Sequence, residues 1–170
     1  MGIDWGQSDD FTDARIFDAT AYCEVALVHI NKHSYEHMID KIVELAFLWH
    51  VEKIMPERNS MGSAIEMLNA ALNKLEWPID KRTGYPSNPT IQAFWTDIRS
   101  KDRLVKLFQA GIEAGLKLLD DPIANQELRA FISKQQPTSL LWSYTHPDGG
   151  HDDTVIARLL AHLACYELKA

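Results

Sequence analysis

Residues 1–30 decide the fold class, because MGIDWG (1–6) and ARIFDATAYCEVALVHI (14–30) predict three strands before the first helix. The first strand is short and apolar, with Asp4 near its end. The strands Ala14–Tyr22 and Glu24–Ile30 alternate or run apolar with few residues between them, as in an antiparallel hairpin or meander. We therefore expect the chain to open with the antiparallel part of a sheet.

Downstream of these strands, the prediction alternates helices with short strands. The helices share apolar residues at helical spacing and run from Ser34 to about His50, from about Ser60 to Leu75, from Lys101 to Ala114, from Pro122 to Lys134 and from Asp152 or Asp153 onwards. The strands are Val51–Met55, Thr90–Ile98, Leu116–Leu119 and Ser139–Tyr144, and Trp77–Pro89 is a long loop or irregular hairpin. This order is typical of a single α/β domain with a mixed sheet flanked by helices.

Composition excludes several classes of protein. With 170 residues, 46% hydrophobic and 24% charged, the chain has the make-up of one globular domain. No apolar run approaches the roughly 20 residues of a membrane span, and we expect no secretory signal. Cys23 and Cys165 fit no metal-ligand spacing and lie in apolar stretches, so we expect buried free thiols in a reducing cytosol. The net charge of −7 disfavours a passive nucleic-acid binder, but carboxylates that hold metal ions also count as negative.

Four carboxylates stand at the ends of predicted elements. Asp4 lies in the first strand, and Asp152 and Asp153 open the last helix. Glu57 follows Pro56, which ends the predicted strand Val51–Met55. Ligands of α/β sheets gather at strand ends, and oxygen-rich clusters suit Mg²⁺ or Mn²⁺. Taken singly, each residue has an ordinary explanation as a surface or helix-capping carboxylate. One Asp is enough to cap a helix, however, so the second Asp of the pair needs another explanation.

Three segments carry a resemblance to a known family: GIDWGQSDDFTD (2–13), PERNSMGSAIEML (56–68) and GGHDDTVIARLLAHLA (149–164). Together they resemble the RNase H-like nuclease domain of bacteriophage terminase large subunits. The first is similar to the family's opening strand with its Asp-x-Thr-like element, here Asp10-Phe11-Thr12. The second is similar to the Glu-x-Asn-x-x-Gly element, here Glu57, Asn59 and Gly62. The third is similar to the His-Asp-Asp start of the closing helix, and LLDDPIANQELRAFI (118–132) also resembles the family.

The resemblance implies a fold, an activity and a set of partners. The fold would be an RNase H-like mixed sheet, and the activity would be cutting concatemeric viral DNA during genome packaging with two divalent ions, Mg²⁺ or Mn²⁺. By the same resemblance Asp4 would bridge both ions, with Glu57 on one and the Asp152–Asp153 pair on the other. The partners would be double-stranded DNA, a portal protein, a small terminase subunit and an ATPase domain of the full-length protein, in the cytoplasm of the infected bacterial host.

No Gly-rich loop ending in Gly-Lys-Ser/Thr, the signature of the family's ATPase, occurs in the sequence. We therefore expect residues 1–170 to be an isolated nuclease domain with no membrane association.

Basic residues are the candidates for holding DNA phosphates. They are Arg58 beside Glu57, Lys81 and Arg82 in the long loop, and Arg99, Lys101 and Arg103 near the third helix. For each of them ordinary solvated charge is an alternative. Trp77 and Tyr85 flank the loop and would stack on bases or pack within the protein. His151 would shuttle a proton, support the metal ligands from behind or, as the plainer alternative, stabilise a turn.

Two other functions stay open at this point. The long loop and the lack of a basic stripe allow another RNase H-like nuclease, such as a junction resolvase or an exonuclease. A catalytically silent docking domain of the packaging motor is the other alternative, against which the presence of all four carboxylates argues.

Overall fold

The computed structural model describes residues 1–6, 11–58, 62–135, 142–146 and 151–169. Seven strands lie among these residues: β1 (Gly2–Asp4), β2 (Phe11–Asp18), β3 (Cys23–Asn31), β4 (Lys53–Pro56), β5 (Thr90–Ile91), β6 (Ile132–Gln135) and β7 (Trp142–Thr145). Five helices accompany them: α1 (Tyr35–Leu48), α2 (Gly62–Leu72), α3 (Ile98–Glu113), α4 (Pro122–Ala130) and α5 (Asp153–Lys169). Within this part of the chain, no helix is long and apolar enough to cross a membrane.

The central sheet is mixed, as the sequence predicts. Its strand order is β3-β2-β1-β4-β5, with β6 and β7 forming a separate antiparallel pair. The strands β1, β2 and β3 are antiparallel neighbours, whereas β4 and β5 run parallel to β1. The predicted antiparallel opening and the predicted α/β class are both confirmed.

Helices cover both faces of the sheet. On one face α1 and α2 close a core that includes Ile3, Ile54 and Leu68. On the other face α3 and α5 close a second core that includes Met55, Leu104 and Leu160. Because buried apolar side chains lie on both faces, the central strands are fixed from two sides.

Gly2 sets how closely α5 approaches the sheet. A Cβ atom at Gly2 would lie 2.2 Å from the Ala157 carbonyl oxygen and 2.2 Å from the Ala161 nitrogen, both backbone atoms of α5. A side chain at this position is therefore impossible unless the helix moves. Asp4 lies two residues after Gly2, and Asp153 lies one helical turn before Ala157, so this contact brings the start of α5 near the end of β1.

Several predicted boundaries are wrong for local reasons. The predicted strand Ala14–Tyr22 ends at Asp18, because the Asp18 carboxylate accepts the N–H groups of the next turn and Tyr22 has a positive φ of 53°. The predicted strand Thr90–Ile98 shrinks to β5, and Asp97 caps α3, which begins at Ile98, three residues before the predicted helix start at Lys101.

The region after α3 also differs from the prediction. Leu116–Leu119 is not a strand and contributes one bridge, between Lys117 and Cys23. The helix predicted over Pro122–Lys134 ends at Ala130, and the following residues pair with β7 as β6. The predicted start of the second helix at Ser60 and the first part of the strand Ser139–Tyr144 lie outside the described residues.

Candidate metal centre

Three separate segments meet at one edge of the sheet. Asp4 is the last residue of β1, and Glu57 directly follows β4. Because β1 and β4 are parallel, their carboxyl ends lie side by side, and the Glu57 N–H donates to the Ile3 carbonyl at 2.8 Å. The start of α5 lies next to this edge. The fold thus places Asp4, Glu57, Asp152 and Asp153 in one region.

The buried carboxyl of Asp4 is at the centre of this region, with 7% of its surface exposed. Burial raises the pKa of Asp4 well above its usual range, and the carboxylates of Glu57, Asp153 and Asp152 raise it further. The side chains of Asp4 and Glu57 also share a hydrogen bond. Each carboxylate that the sequence singles out is therefore close enough to act on Asp4, and negative charges on these side chains repel one another.

Neighbouring side chains orient the cluster. The Thr96 hydroxyl donates to Glu57 Oε1, and Lys101 Nζ lies 3.3 Å from Asp152 Oδ2. His151 Nδ1 lies 3.8 Å from Asp153 Oδ2. Of these residues, Thr96 was not predicted, since a threonine in a loop 39 positions after Glu57 gives no sequence signal.

Thr12, from the Asp-x-Thr-like element of the sequence, holds the end of β1 in place. The Gly6 N–H donates to the buried Thr12 hydroxyl at 3.0 Å, which ties the residues after Asp4 to β2. Asp10 and Asn59, the other polar members of the predicted motifs, lie outside the described residues.

The first turn of α5 is capped in a way that the sequence did not predict. The Asp152 carbonyl accepts the Ile156 N–H at 2.9 Å, so Asp152 is the residue that precedes the helix. Glu127 of α4, however, accepts both the backbone N–H and the hydroxyl of Thr154. An N-cap carboxylate usually takes an N–H at this position. Glu127 therefore accepts the Thr154 N–H that a capping carboxylate of the pair would otherwise take.

A buried ion network lies beside the cluster and joins β2, β3 and α5. Arg15 contacts the carboxylates of Asp13, Glu24 and Asp121. Arg158 contacts both carboxylate oxygens of Glu24. Asp13 is the register partner of Asp4, so the two side chains are on the same face of the sheet.

The network has an outer edge at Asp13. His29 Nδ1 lies 2.9 Å from Asp13 Oδ2, and the Phe11 ring stacks on His29 with centroids 4.2 Å apart. This network was not predicted from the sequence. Its signal was the presence of charged residues inside predicted strands and of Arg158 between the apolar residues of the last helix.

The donors present fit a hard divalent cation. Carboxylate oxygens are the ligands that Mg²⁺ and Mn²⁺ prefer, and a cation would offset the repulsion that raises the pKa of Asp4. Across the described ranges no three His, Cys, Asp or Glu side chains already stand in a metal-ligating arrangement. The carboxylates are thus electrostatically coupled without forming a finished coordination shell.

The predicted DNA-contacting residues fall into two groups. Arg58 is exposed beside Glu57, and its N–H donates to the Phe94 carbonyl at 2.8 Å. Lys81 and Arg82 are exposed in the loop that leads into β5. This loop reaches the sheet at Thr90, which pairs with Lys53 at the amino end of β4, whereas Glu57 follows the carboxyl end of β4. The fold therefore brings Arg58 to the carboxylates and not the Lys81–Arg82 pair.

The two aromatic residues that flank the loop, Trp77 and Tyr85, differ in burial. Trp77 is buried in the first core and donates its indole N–H to the Leu72 carbonyl at 2.9 Å, so it packs within the protein. Tyr85 is 74% exposed. Cys23 and Cys165 are free thiols, as predicted, although only Cys165 is buried.

Solved structures with the same fold include large terminase nucleases of thermophilic phages. The nuclease from phage G20c matches with a TM-score of 0.75 and 17% identity, covering 95% of this chain and 79% of that one. The same nuclease with bound magnesium matches at 0.75 and 19%, covering 95% and 78%. The large terminase nuclease domain of Thermus phage P74-26 matches at 0.73 and 18%, covering 95% and 76%. No model of a protein family and no curated protein matches the sequence. The chain therefore has the fold of large terminase nuclease domains, an RNase H-like mixed sheet flanked by helices, as the resemblance implied.

Proposed function

We propose that this chain is a DNA endonuclease that depends on two divalent metal ions, Mg²⁺ or Mn²⁺, and cuts concatemeric viral DNA during genome packaging. One observation carries the proposal: the adjacent ends of β1 and β4 and the start of α5 bring Asp4, Glu57, Asp152 and Asp153 together, where burial and then the other carboxylates raise the pKa of Asp4. A functional site is the usual reason for a fold to keep such a cluster at the end of its strands.

The four carboxylates would hold the ions, with Asp4 between Glu57 on one side and the Asp152–Asp153 pair on the other. Bound metal ions would supply an activated water and stabilise the negative charge of the reacting phosphate and its leaving oxygen. The protein's own contribution is to keep the ligands in place. Thr96 fixes one oxygen of Glu57, Glu127 holds the first turn of α5, and the Gly2 contact fixes the distance between β1 and α5.

DNA would approach across the edge of the sheet where the carboxylates lie. Arg58 follows Glu57 directly, and α3 begins close by with Arg99 and Lys101. These cations would contact backbone phosphates, which positions DNA without reading its sequence. We extend the proposal to the partners of a packaging motor, namely a portal protein, a small terminase subunit and an ATPase domain, on the strength of the shared fold.

The experiment that tests this proposal is cleavage of supercoiled plasmid. We expect nicked and linear products with Mn²⁺ or Mg²⁺, little sequence preference, and intact plasmid in EDTA. The control is Asp4→Asn, which keeps the shape of the side chain and removes its charge. This variant should bind plasmid and leave it intact. Equal cutting in EDTA would refute metal dependence, and full activity of Asp4→Asn would remove Asp4 from the site.

The choice of substrate separates the proposal from its alternatives. A terminase-type nuclease should cut linear and supercoiled duplexes internally. A junction resolvase should prefer four-way junctions, and an exonuclease should require ends and spare closed circles. A silent docking domain should cut none of these substrates with any metal ion.

The roles of Asp152 and Asp153 can be separated by single Asp→Asn changes. Asn caps helices about as well as Asp, so a purely capping position should tolerate the change. Because Glu127 already accepts the Thr154 N–H, we expect both variants to fold and both to lose cleavage. We expect the larger loss for Asp152→Asn. Parent-like cutting by both variants would show that the pair is not part of the metal site.

A further inference from the structure

Lys101 makes an ion pair with a member of the carboxylate cluster. Its ammonium lies 3.3 Å from Asp152 Oδ2, across 51 positions of sequence. Both side chains are partly exposed, with 23% of Lys101 and 21% of Asp152 accessible to solvent. The ammonium also lies 5.9 Å from the centre of the Phe131 ring. This lysine is therefore held at the border of the candidate metal centre and does not extend freely into solvent.

The helix that carries Lys101 does not explain a cation at this position. Lys101 lies near the start of α3 together with Arg99 and Arg103, and the first turn contains no acidic residue. The start of a helix carries partial positive charge, which disfavours cations there. The favourable partner comes instead from α5, where Asp152 and Asp153 concentrate negative charge.

A second lysine of the same helix provides a comparison. Lys106 pairs with Asp102 one turn earlier on α3, and its side chain is 60% exposed. Such a pair serves its own helix and contributes little. The Lys101–Asp152 pair instead joins two helices at the edge of the candidate metal centre.

We infer that Lys101 is a built-in counter-ion of the carboxylate site, which neutralises Asp152 before metal binds and contacts the DNA phosphate after metal has bound. This inference rests on the proposed function. A lysine suits both positions, because its ammonium is a compact charge on a flexible four-carbon stem and needs no fixed donor geometry. A metal ion that binds Asp152 at Oδ2 displaces the ammonium, so the two cations compete for the same oxygen. The displaced ammonium then lies next to the place where the phosphate binds.

The competition makes a prediction that a merely structural ion pair does not make. We expect Lys101→Met to bind Mn²⁺ about two- to fivefold more tightly than the parent in the absence of DNA, the range that corresponds to losing one partly exposed ion pair. The same variant should cut plasmid about tenfold more slowly or worse at saturating Mn²⁺, because one charge on the phosphate is lost. Lys101→Arg keeps the charge and should resemble the parent in metal affinity.

Isothermal titration with Mn²⁺ alone tests the competition between Lys101 and the metal ion. Plasmid cleavage by the same preparations tests the contact with the DNA phosphate. Lys106→Met is the matched control and should match the parent in both measurements. Unchanged or weaker Mn²⁺ binding by Lys101→Met would refute the competition, and unchanged cleavage would refute the phosphate contact. A parent protein that binds no Mn²⁺ and cuts no DNA would instead refute the nuclease proposal, and this inference with it.

Discussion

Arg158 is the residue of α5 whose loss should most weaken the support of the site. Its guanidinium is fully buried. Nε lies 3.2 Å from Glu24 Oε1 and 3.1 Å from Oε2, and Nη2 lies 2.9 Å from Oε2. It also donates to the Leu119 carbonyl at 3.2 Å. Arg158→Met keeps much of the apolar stem and removes every one of these polar contacts.

The magnitude follows from the charges that remain. The network holds two arginines, Arg15 and Arg158, against the three carboxylates of Asp13, Glu24 and Asp121. Removing one arginine leaves a buried carboxylate without its main partner, which typically costs about 3–5 kcal/mol. For a domain of this size each kcal/mol lowers the melting temperature by about 2–4 °C, so we expect a fall of roughly 6–20 °C.

Urea unfolding of three variants checks this reasoning. Arg103→Met, an exposed arginine on α3, is the control and should change the free energy of unfolding by less than about 0.5 kcal/mol. Adding Glu24→Gln to Arg158→Met removes the orphaned charge and should recover about 1–3 kcal/mol. A loss below about 1 kcal/mol for Arg158→Met, or no recovery in the double variant, would contradict the account of the network.

Three further predictions concern the geometry, the charge and the DNA contacts of the site. Gly2→Ala should destabilise the domain by about 3 kcal/mol or more in urea unfolding, because its Cβ would meet the backbone of α5, whereas Gly62→Ala, with no heavy atom within 4 Å, should not. Because the pKa of Asp4 is raised in the folded state, the metal-free domain should lose stability as pH rises from about 4 through that pKa. Asp4→Asn should therefore melt at a higher temperature than the parent in EDTA at pH 8, and a lower one would mark Asp4 as structural. Arg58→Glu should weaken duplex binding in mobility-shift assays more than charge reversal at 81–82, because that loop reaches the sheet at the end of β4 opposite to Glu57. A larger loss of binding from the change at 81–82 would show that DNA contacts the loop instead.

The sequence could predict the fold because its local signals agree with the tertiary structure. The two strands predicted within residues 14–30 and the helix predicted from Ser34 are all present in the folded chain, where Ser34 accepts the His37 N–H. Predictions failed where a distant partner overrides a local pattern. The residues after Ala130 continue a helical pattern but pair with β7, a partner that periodicity cannot reveal.

The same distinction holds for the site. Four carboxylates at element ends could be predicted, because strand ends and helix starts are visible in the sequence. Their supporting residues could not, because Thr96, Glu127 and Arg158 reach the site or its neighbours only through long-range contacts. Arg158 is the clearest case, since an arginine within the apolar stretch of a helix has no local explanation.

The most direct test of the central claim is anomalous diffraction from crystals of the protein soaked in Mn²⁺. We expect Mn²⁺ peaks among the carboxylates of Asp4, Glu57 and the Asp152–Asp153 pair, and none there in crystals of Asp4→Asn. Mn²⁺ bound elsewhere, or absence of a peak at these carboxylates under conditions in which the protein cuts plasmid, would contradict it.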